Sequence, residues 1–379
     1  MQDVYLDNAA TTKVDDSIAD IARDIMLSRY GNPSSLHSKG LEAQHEMEKA
    51  SANIQKALGV NTGKVIFTSG GTEANNLAIF GTVNARKRLG NRIVTTEIEH
   101  PSVLEAVKEL EKQGFEIKIV PADNEGRFCA EKFIEACDEN TILATAILVN
   151  NETGVIQPVE AVSKEIRRKS PNAVIHTDAV QAFGKMAVSP KALGVDMVSV
   201  SGHKIHAPKG IGALYILKNT RILPMLFGGG QQDSLRPGTE NVPLSAAFGA
   251  AAKEAFENIE NNSAKAQLIK ASLLKRLQSV KNVFINSPEE NCLPYILNIS
   301  ADGLNSETVI HFMAERGIFI SGGSACSKGK KSHVLKAMSL SDRRISSALR
   351  ISLSKYTTED DVRYLCEILA LAEQNLKKF

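Results

Sequence analysis

Apolar runs of four to eight residues recur between positions 64 and 217, each closed by polar or glycine-rich positions. The runs at 64–69, 92–95, 116–120, 142–149, 173–177, 197–201 and 213–217 are rich in Val, Ile, Leu and Ala. Near-continuous apolar character of this kind suits strands buried on both faces. Between most of the runs the apolar spacing lengthens to that of an amphipathic helix, at 72–89, 101–113, 130–138 and 158–169. Strand, helix, strand in that order predicts an α/β fold, with a mostly parallel seven-stranded sheet wrapped by helices. In such sheets a ligand binds beyond the carboxyl ends of the strands. The residues that follow each strand are therefore the candidates for chemistry.

After the glycines at 228–230 and the Arg-Pro-Gly turn at 236–238, a long helical pattern over 242–280 leads into a second, smaller α+β lobe. Short strands are expected there at 284–286, 294–298, 318–321 and 350–352, with helices at 306–316, 333–337 and 358–377. The N-terminal segment is expected to pack with this lobe. The division that follows is a large domain over 13–255, and a small domain formed by 1–12 and 256–379 that carries a mobile loop at 321–333.

Composition narrows the function more than the fold. A formal charge of +2 on 379 residues makes no electrostatic case for nucleic acid or an anionic membrane. No apolar stretch approaches the roughly 18 residues of a membrane span, and the first residues lack the basic and apolar regions of a signal peptide. Cys129, Cys137, Cys292, Cys326 and Cys366 are scattered without a C-x-x-C pair, which argues against zinc or disulfides and for the cytoplasm. All but Cys326 fall in helical or strand patterns and are expected to be small core residues.

The strand at 197–201 ends in Ser201-Gly-His203-Lys204. A lysine at the tip of a buried strand is placed to become a nucleophile, because desolvation and nearby cations lower its pKa. Strand 64–69 runs into Gly70-Gly71-Thr72, two glycines before a threonine expected to cap the helix, which suits a phosphate at the positive helix end. His100 precedes a Pro-started helix and could stack on a flat ligand or move a proton. The turn at 150–154, Asn-Asn151-Glu-Thr-Gly, could hold a carboxylate. Asp178 closes strand 173–177 and needs a cationic partner, and Gln181 could reach a neighbouring ring oxygen. Each feature alone also has a plain structural explanation. Together they ask for a phosphate, a flat ring, a basic ring nitrogen and an aldehyde, which describes pyridoxal phosphate. His203-x-x-His206 is a weak metal motif, because neighbouring ligands are missing.

Ten blocks in order then carry a resemblance over almost the whole chain: Y-L-D-N-A-A-T-T at 5–12, Y-G-N-P-S-S at 30–35, F-T-S-G-G-T-E-A-N-N at 67–76, E-H-P-S at 99–102, V-N-N-E-T-G at 149–154, H-T-D-A-V-Q at 176–181, S-G-H-K at 201–204, R-P-G-T at 236–239, S-G-G-S-A-C at 321–326 and L-R-I-S-L at 349–353. The chain resembles the NifS/IscS-type cysteine desulfurases, in the class V aminotransferase group of fold-type I pyridoxal-phosphate enzymes. The resemblance implies conversion of L-cysteine to L-alanine, with the sulfur passing to Cys326 as a persulfide. From there it would go to an acceptor or scaffold protein, for iron–sulfur cluster assembly or for tRNA and cofactor thiolation.

By matching position, Lys204 is the Schiff-base lysine, His100 the ring-stacking histidine and Asp178 the partner of the pyridinium nitrogen. Gln181 lies at the ring hydroxyl. Gly71, Thr72, Ser201 and His203 form the phosphate site, which Thr239 of the second subunit of a homodimer completes. Asn151 and Arg350 hold the substrate carboxylate, a role that suits the planar fork of arginine. No intrinsic metal is implied, although Cys326 could contact a cluster in transfer. Lys328, Lys330 and Lys331 would favour the Cys326 thiolate.

The match loosens in places. The stretch after Cys326 is shorter than in IscS-type members, His206 stands where an aromatic is usual and Ala207 where glycine is. The chain also ends at Phe379 without the longer tail that would meet a scaffold. The rival reading is an aminotransferase or a selenocysteine/cysteine lyase on the same fold, with Cys326 incidental. A non-catalytic sulfur-relay subunit would not need a full cofactor site.

Overall fold

The computed structural model of the chain describes residues 3–322 and 331–378. Cys326, Lys328 and Lys330 therefore lie outside the described residues. Thirteen strands occur among the described residues. They are β1 (Val4–Tyr5), β2 (Lys64–Thr68), β3 (Arg92–Thr96), β4 (Glu116–Val120), β5 (Thr141–Ile147), β6 (Val174–Asp178), β7 (Met197–Ser201), β8 (Gly212–Ile216), β9 (Val283–Ile285), β10 (Ile296–Ala301), β11 (Ile318–Phe319), β12 (Ser321–Gly322) and β13 (Ala348–Ser352).

The large sheet has seven strands in the order β2-β8-β7-β6-β5-β3-β4, as the apolar runs predict. Only β8 is antiparallel to its neighbours, so the other six strands end on one side. Every residue of β5, β6, β7 and β8 is buried, which accounts for their unbroken apolar runs. β4 lies at the sheet edge and differs from a doubly buried strand: Lys118 and Ile119 are exposed. The helices Gly71–Arg86, Pro101–Lys112 and Val159–Lys169 follow β2, β3 and β5 in the chain, and each buries an apolar face.

The long pattern over 242–280 is two helices, Val242–Glu257 and Ile259–Leu277. Asn258 breaks it with a non-helical backbone (φ −112°, ψ 11°), and its amide and side chain both donate to the Glu254 carbonyl. Helices Asp16–Leu27 and Ser38–Ala57 were not evident from the pattern. The second of these buries Gly40, Ala43, Ala50 and Ile54, three of them too small to make a strong apolar stripe.

The remaining strands form an antiparallel sheet, β12-β13-β10-β9, and the parallel pair β1-β11. The expected strand at 318–321 divides between these two sheets. A second apolar core contains Leu297, Ile299, Leu349, Ile351, Val309 and Leu365, joined by Val4 and Leu6 from the N-terminus. Beyond β1 the N-terminal segment crosses to the large sheet, where Thr12 receives the amide of His206 and meets the His203 carbonyl. Cys137 and Cys366 are core residues as expected, whereas Cys129 and Cys292 are half-buried in connecting turns.

Candidate active site

The aligned ends of β2, β3, β5, β6 and β7 open onto a cavity of about 360 Å³ between the large sheet and the N-terminal segment. At the end of β2 the chain turns through Gly70 into the helix Gly71–Arg86. Gly70, not Thr72, is the residue that precedes the helix, and Thr72 occupies its second position. Both Gly71 and Thr72 line the cavity. A Cβ on Gly71 would lie 2.8 Å from Val180 Cγ2, so only glycine allows this helix start to approach the turn after β6.

Ser201 ends β7 on the facing side of the cavity. It is 1% exposed, and its hydroxyl oxygen has no partner among the described residues. A buried hydroxyl without a partner is costly unless something supplies one. Together with the helix start and His203, it forms a cradle suited to a phosphate. Burial first, then the charges of Lys204, Lys209 and Lys185, push the His203 imidazole down to about 3. It is neutral at physiological pH and can offer an N–H.

Asp178 closes β6, with each carboxylate oxygen held by a different donor: Asn75 Nδ2 at 2.7 Å and the Val180 amide at 2.9 Å. Asn75 also donates to Ser102 Oγ at 2.8 Å, and that hydroxyl lies 2.8 Å from His100 Nδ1. The acid and the imidazole thus belong to one hydrogen-bonded chain. His100 caps the helix Pro101–Lys112 by accepting from the Ser102 amide. Burial lowers its pKa, with Lys204 and His333 acting in the same direction and Asp178 opposing them.

Lys204 sits in a single helical turn, Gly202–Lys204, directly after β7. Its Nζ donates to the Ala9 and Ala10 carbonyls at 2.6 and 2.7 Å. Gln181 Nε2 donates to the same Ala9 carbonyl at 2.9 Å.

Across the cavity stands Arg350 of β13, 1% exposed. Its guanidinium donates to Asp7 Oδ1 at 3.0 Å and to the Asn151 carbonyl at 2.9 Å, while its buried Nε has no partner among the described residues. The fork expected for a carboxylate is therefore partly committed to Asp7. Beside it Glu152 is buried, and burial pushes its carboxyl up to about 7, against the Ser332 hydrogen bond and Arg350.

Gly71, Thr72, His100, Asn151, Asp178, Gln181, Ser201, His203, Lys204 and Arg350 all line this one cavity. Their donors and acceptors fit the group that the sequence implies: a phosphate cradle, an acid for a ring nitrogen, a flat imidazole and an amine. Thr239 does not line it; it lies on an exposed turn of the same chain. Asn75, Ser102 and Glu152 also belong to the wall and were not singled out from the sequence. Asn75 was accessible to sequence reasoning, since it lies three residues after Thr72 on the same helix face. The carbonyls of Ala9 and Ala10 leave no sequence signal.

The family model for aminotransferase class-V matches residues 4–365. A putative cysteine desulfurase, IscS 1, of Bacillus subtilis strain 168 is 40% identical over 367 residues, 96% of each chain. The cysteine desulfurase IscS of Dictyoglomus turgidum is 36% identical, over 99% of this chain and 96% of that protein. Among solved structures, a NifS-like protein superimposes with a TM-score of 0.94 at 36% identity, covering 99% of this chain and all of the other. The structure described as SspA in complex with cysteine gives a TM-score of 0.82 at 33% identity, over 93% of this chain and 99% of that one.

Proposed function

Because the chain belongs to the class-V aminotransferase family, as one of its cysteine desulfurases, we propose that this cavity converts L-cysteine to L-alanine and passes the sulfur to Cys326 as a persulfide. The enzymes of this family depend on pyridoxal phosphate. The observation that carries the reading is the convergence of Lys204, Asp178, His100 and Arg350 on one cavity at the strand ends.

Gly71, Thr72, Ser201 and His203 would hold the phosphate of the cofactor, Asp178 its ring nitrogen and Gln181 its ring oxygen. His100 would cover the ring face, and Lys204 would meet the aldehyde carbon. When bound, the cofactor supplies a sink for the electrons left at the substrate Cα. Arg350 and Asn151, both on the cavity wall, would orient the substrate carboxylate. The amine of Lys204 takes the Cα proton, and His100 moves a proton at the substrate thiol. The Cys326 thiolate then attacks the substrate sulfur: a sulfur–sulfur bond forms as the Cβ–sulfur bond breaks, and a proton delivered to Cβ completes alanine.

Three further assignments belong to the same reading. The exposed turn of Thr239 supports a homodimer in which each Thr239 completes the phosphate site of the partner subunit. Sulfur would leave on an acceptor or scaffold protein, for cluster assembly or thiolation. The two largest apolar cores, one drawn mostly from 18–252 and the other from 4–6 and 269–369, support a large domain over 13–255 and a small domain of 1–12 with 256–379. No helix among the described residues is long and apolar enough to cross a membrane, and the scattered cysteines support a cytoplasmic setting.

Cofactor-loaded protein given L-cysteine and a reductant is expected to release alanine and sulfide in equal amounts, and Cys326→Ala to release neither. Amino-group exchange with a keto acid in place of sulfur release would make the protein an aminotransferase and contradict the proposal.

A further inference from the structure

A second cavity, of about 40 Å³, shares Lys204 with the first and is also lined by Lys185. Lys185 is 7% exposed, an uncommon setting for a lysine. The backbone turns it inward at Gly184, which has φ +72° and where a Cβ would lie 2.8 Å from Ile205 Cγ2 and 3.0 Å from Ala255 Cβ. Among the described residues its side chain makes one hydrogen bond, from Nζ to Gln181 Oε1 at 3.0 Å. Gln181 Nε2 in turn donates to the Ala9 carbonyl, which also accepts from Lys204 Nζ. A continuous path thus runs from Lys185 through Gln181 and Ala9 to Lys204.

The charged groups around Lys185 come from several elements. Lys204 and Arg350 face it from the active-site side. Asp15, His206, Glu254 and Lys355 line the small cavity with it. Lys355 bridges Asp15 at 2.6 Å and Glu254 at 2.5 Å, so both carboxylates already have a cation. Burial, with Lys204 and Arg350 adding to it, pushes the Lys185 ammonium down to about 7.

We propose that Lys185 is a positioning residue for the desulfurase reaction, orienting the Gln181 amide at the cofactor's ring oxygen and adjusting the proton affinity of the Lys204 centre. The inference rests on the cofactor reading given above. The Ala9 carbonyl can only accept, so it takes the amide nitrogen of Gln181, and Lys185 then holds the amide oxygen. Without that donor the oxygen is left buried and unpaired, and the amide turns toward another partner. When Lys185 takes a proton, its positive charge disfavours a second one at Lys204. That influence fades as pH rises through neutrality.

The test is a pH titration of the visible absorbance of cofactor-loaded wild type, Lys185→Met, Gln181→Ala and the double variant. Lys185→Met is expected to raise the apparent pKa by about half a unit, about a threefold gain in proton affinity. It is also expected to lower kcat severalfold with little change in KM for L-cysteine. In the Gln181→Ala background it should lower kcat no further, whereas the pKa shift, which comes from charge acting directly on Lys204, should remain. A Lys185→Met protein that keeps the wild-type Tm and titrates like wild type overturns the proposal, as do two losses of kcat that simply multiply. If Lys185→Met does not fold, Gln181→Ala carries the test, because an unchanged kcat there rules out action through Gln181. Wild type that binds no cofactor or releases no alanine would instead defeat the functional reading, whatever Lys185 does.

Discussion

The Asp178 carboxylate is fixed before any ligand arrives, because Asn75 and the Val180 amide each hold one of its oxygens. What it presents to the cavity is an oriented negative charge, and electrostatic help of this kind is large when it needs no reorganisation. Asp178→Asn is therefore expected to lower kcat about a hundredfold or more, with Asn75→Ala intermediate, both measured as alanine release. The buried ionisable groups also make stability depend on pH, with opposite signs. His176 lies between Thr145 Oγ1 at 2.8 Å and Ser199 Oγ at 2.9 Å, and burial pushes its imidazole down to about 3. In the unfolded chain it takes a proton near pH 6.5, at about the ordinary histidine value. Stability is thus present above about 6.5 and falls as pH drops toward about 3, by up to about 1.4 kcal/mol per pH unit. Urea unfolding should show this slope in wild type and a shallower one in His176→Gln. Glu99 behaves in the reverse sense. Burial raises its carboxyl to about 8, while the unfolded group ionises near pH 4.3, at about the ordinary glutamate value. Its share is present below the unfolded value and lost as pH rises toward about 8, so Glu99→Gln should flatten the alkaline side of the same curve.

At the scale of elements, the centre of the large sheet was legible because strands buried on both faces must be apolar throughout, while the edge strand β4 was marked by a mixed apolar run. The site was legible for a related reason: polar residues at the ends of such strands stand out against the apolar run before them. Lys204, Asp178 and His100 were found in this way. Less was visible where packing relies on small residues, as in Ser38–Ala57, or where a single asparagine divides one helical pattern into two, as at Asn258. The two hydrogen bonds that tie Lys204 to the N-terminal segment go to backbone carbonyls, and no residue type signals a carbonyl. Lys185 was missed because nothing in the sequence distinguishes a buried lysine from an exposed one. The Gly70-Gly71 turn allows a prediction of its own. In Gly71→Ala the new Cβ would press on Val180 at 2.8 Å and push the helix start out of the phosphate cradle. Weaker cofactor retention is expected, read by dialysis and absorbance, with a cost to stability of about 1–3 kcal/mol.

In the whole molecule the N-terminal segment joins the parts. It pairs with β11, reaches Arg350 and Ser321 through Asp7, meets Lys204 through Ala9 and Ala10, and braces His203 through Thr11 and Thr12. Both cores and both sides of the cavity are tied to these few residues. Asp7→Ala leaves the buried Arg350 without its carboxylate and is expected to cost about 3 kcal/mol, seen as a lower Tm, along with a raised KM for L-cysteine. The central claim is that this scaffold hands sulfur from L-cysteine to Cys326. One measurement reaches it most directly: cofactor-loaded protein is given a single equivalent of L-cysteine without reductant, alkylated, digested and analysed by mass spectrometry. The account predicts that the peptide carrying Cys326 gains one sulfur atom while an equal amount of alanine is released. Alanine release with Cys326 unmodified, or sulfur found only on another cysteine, would contradict it.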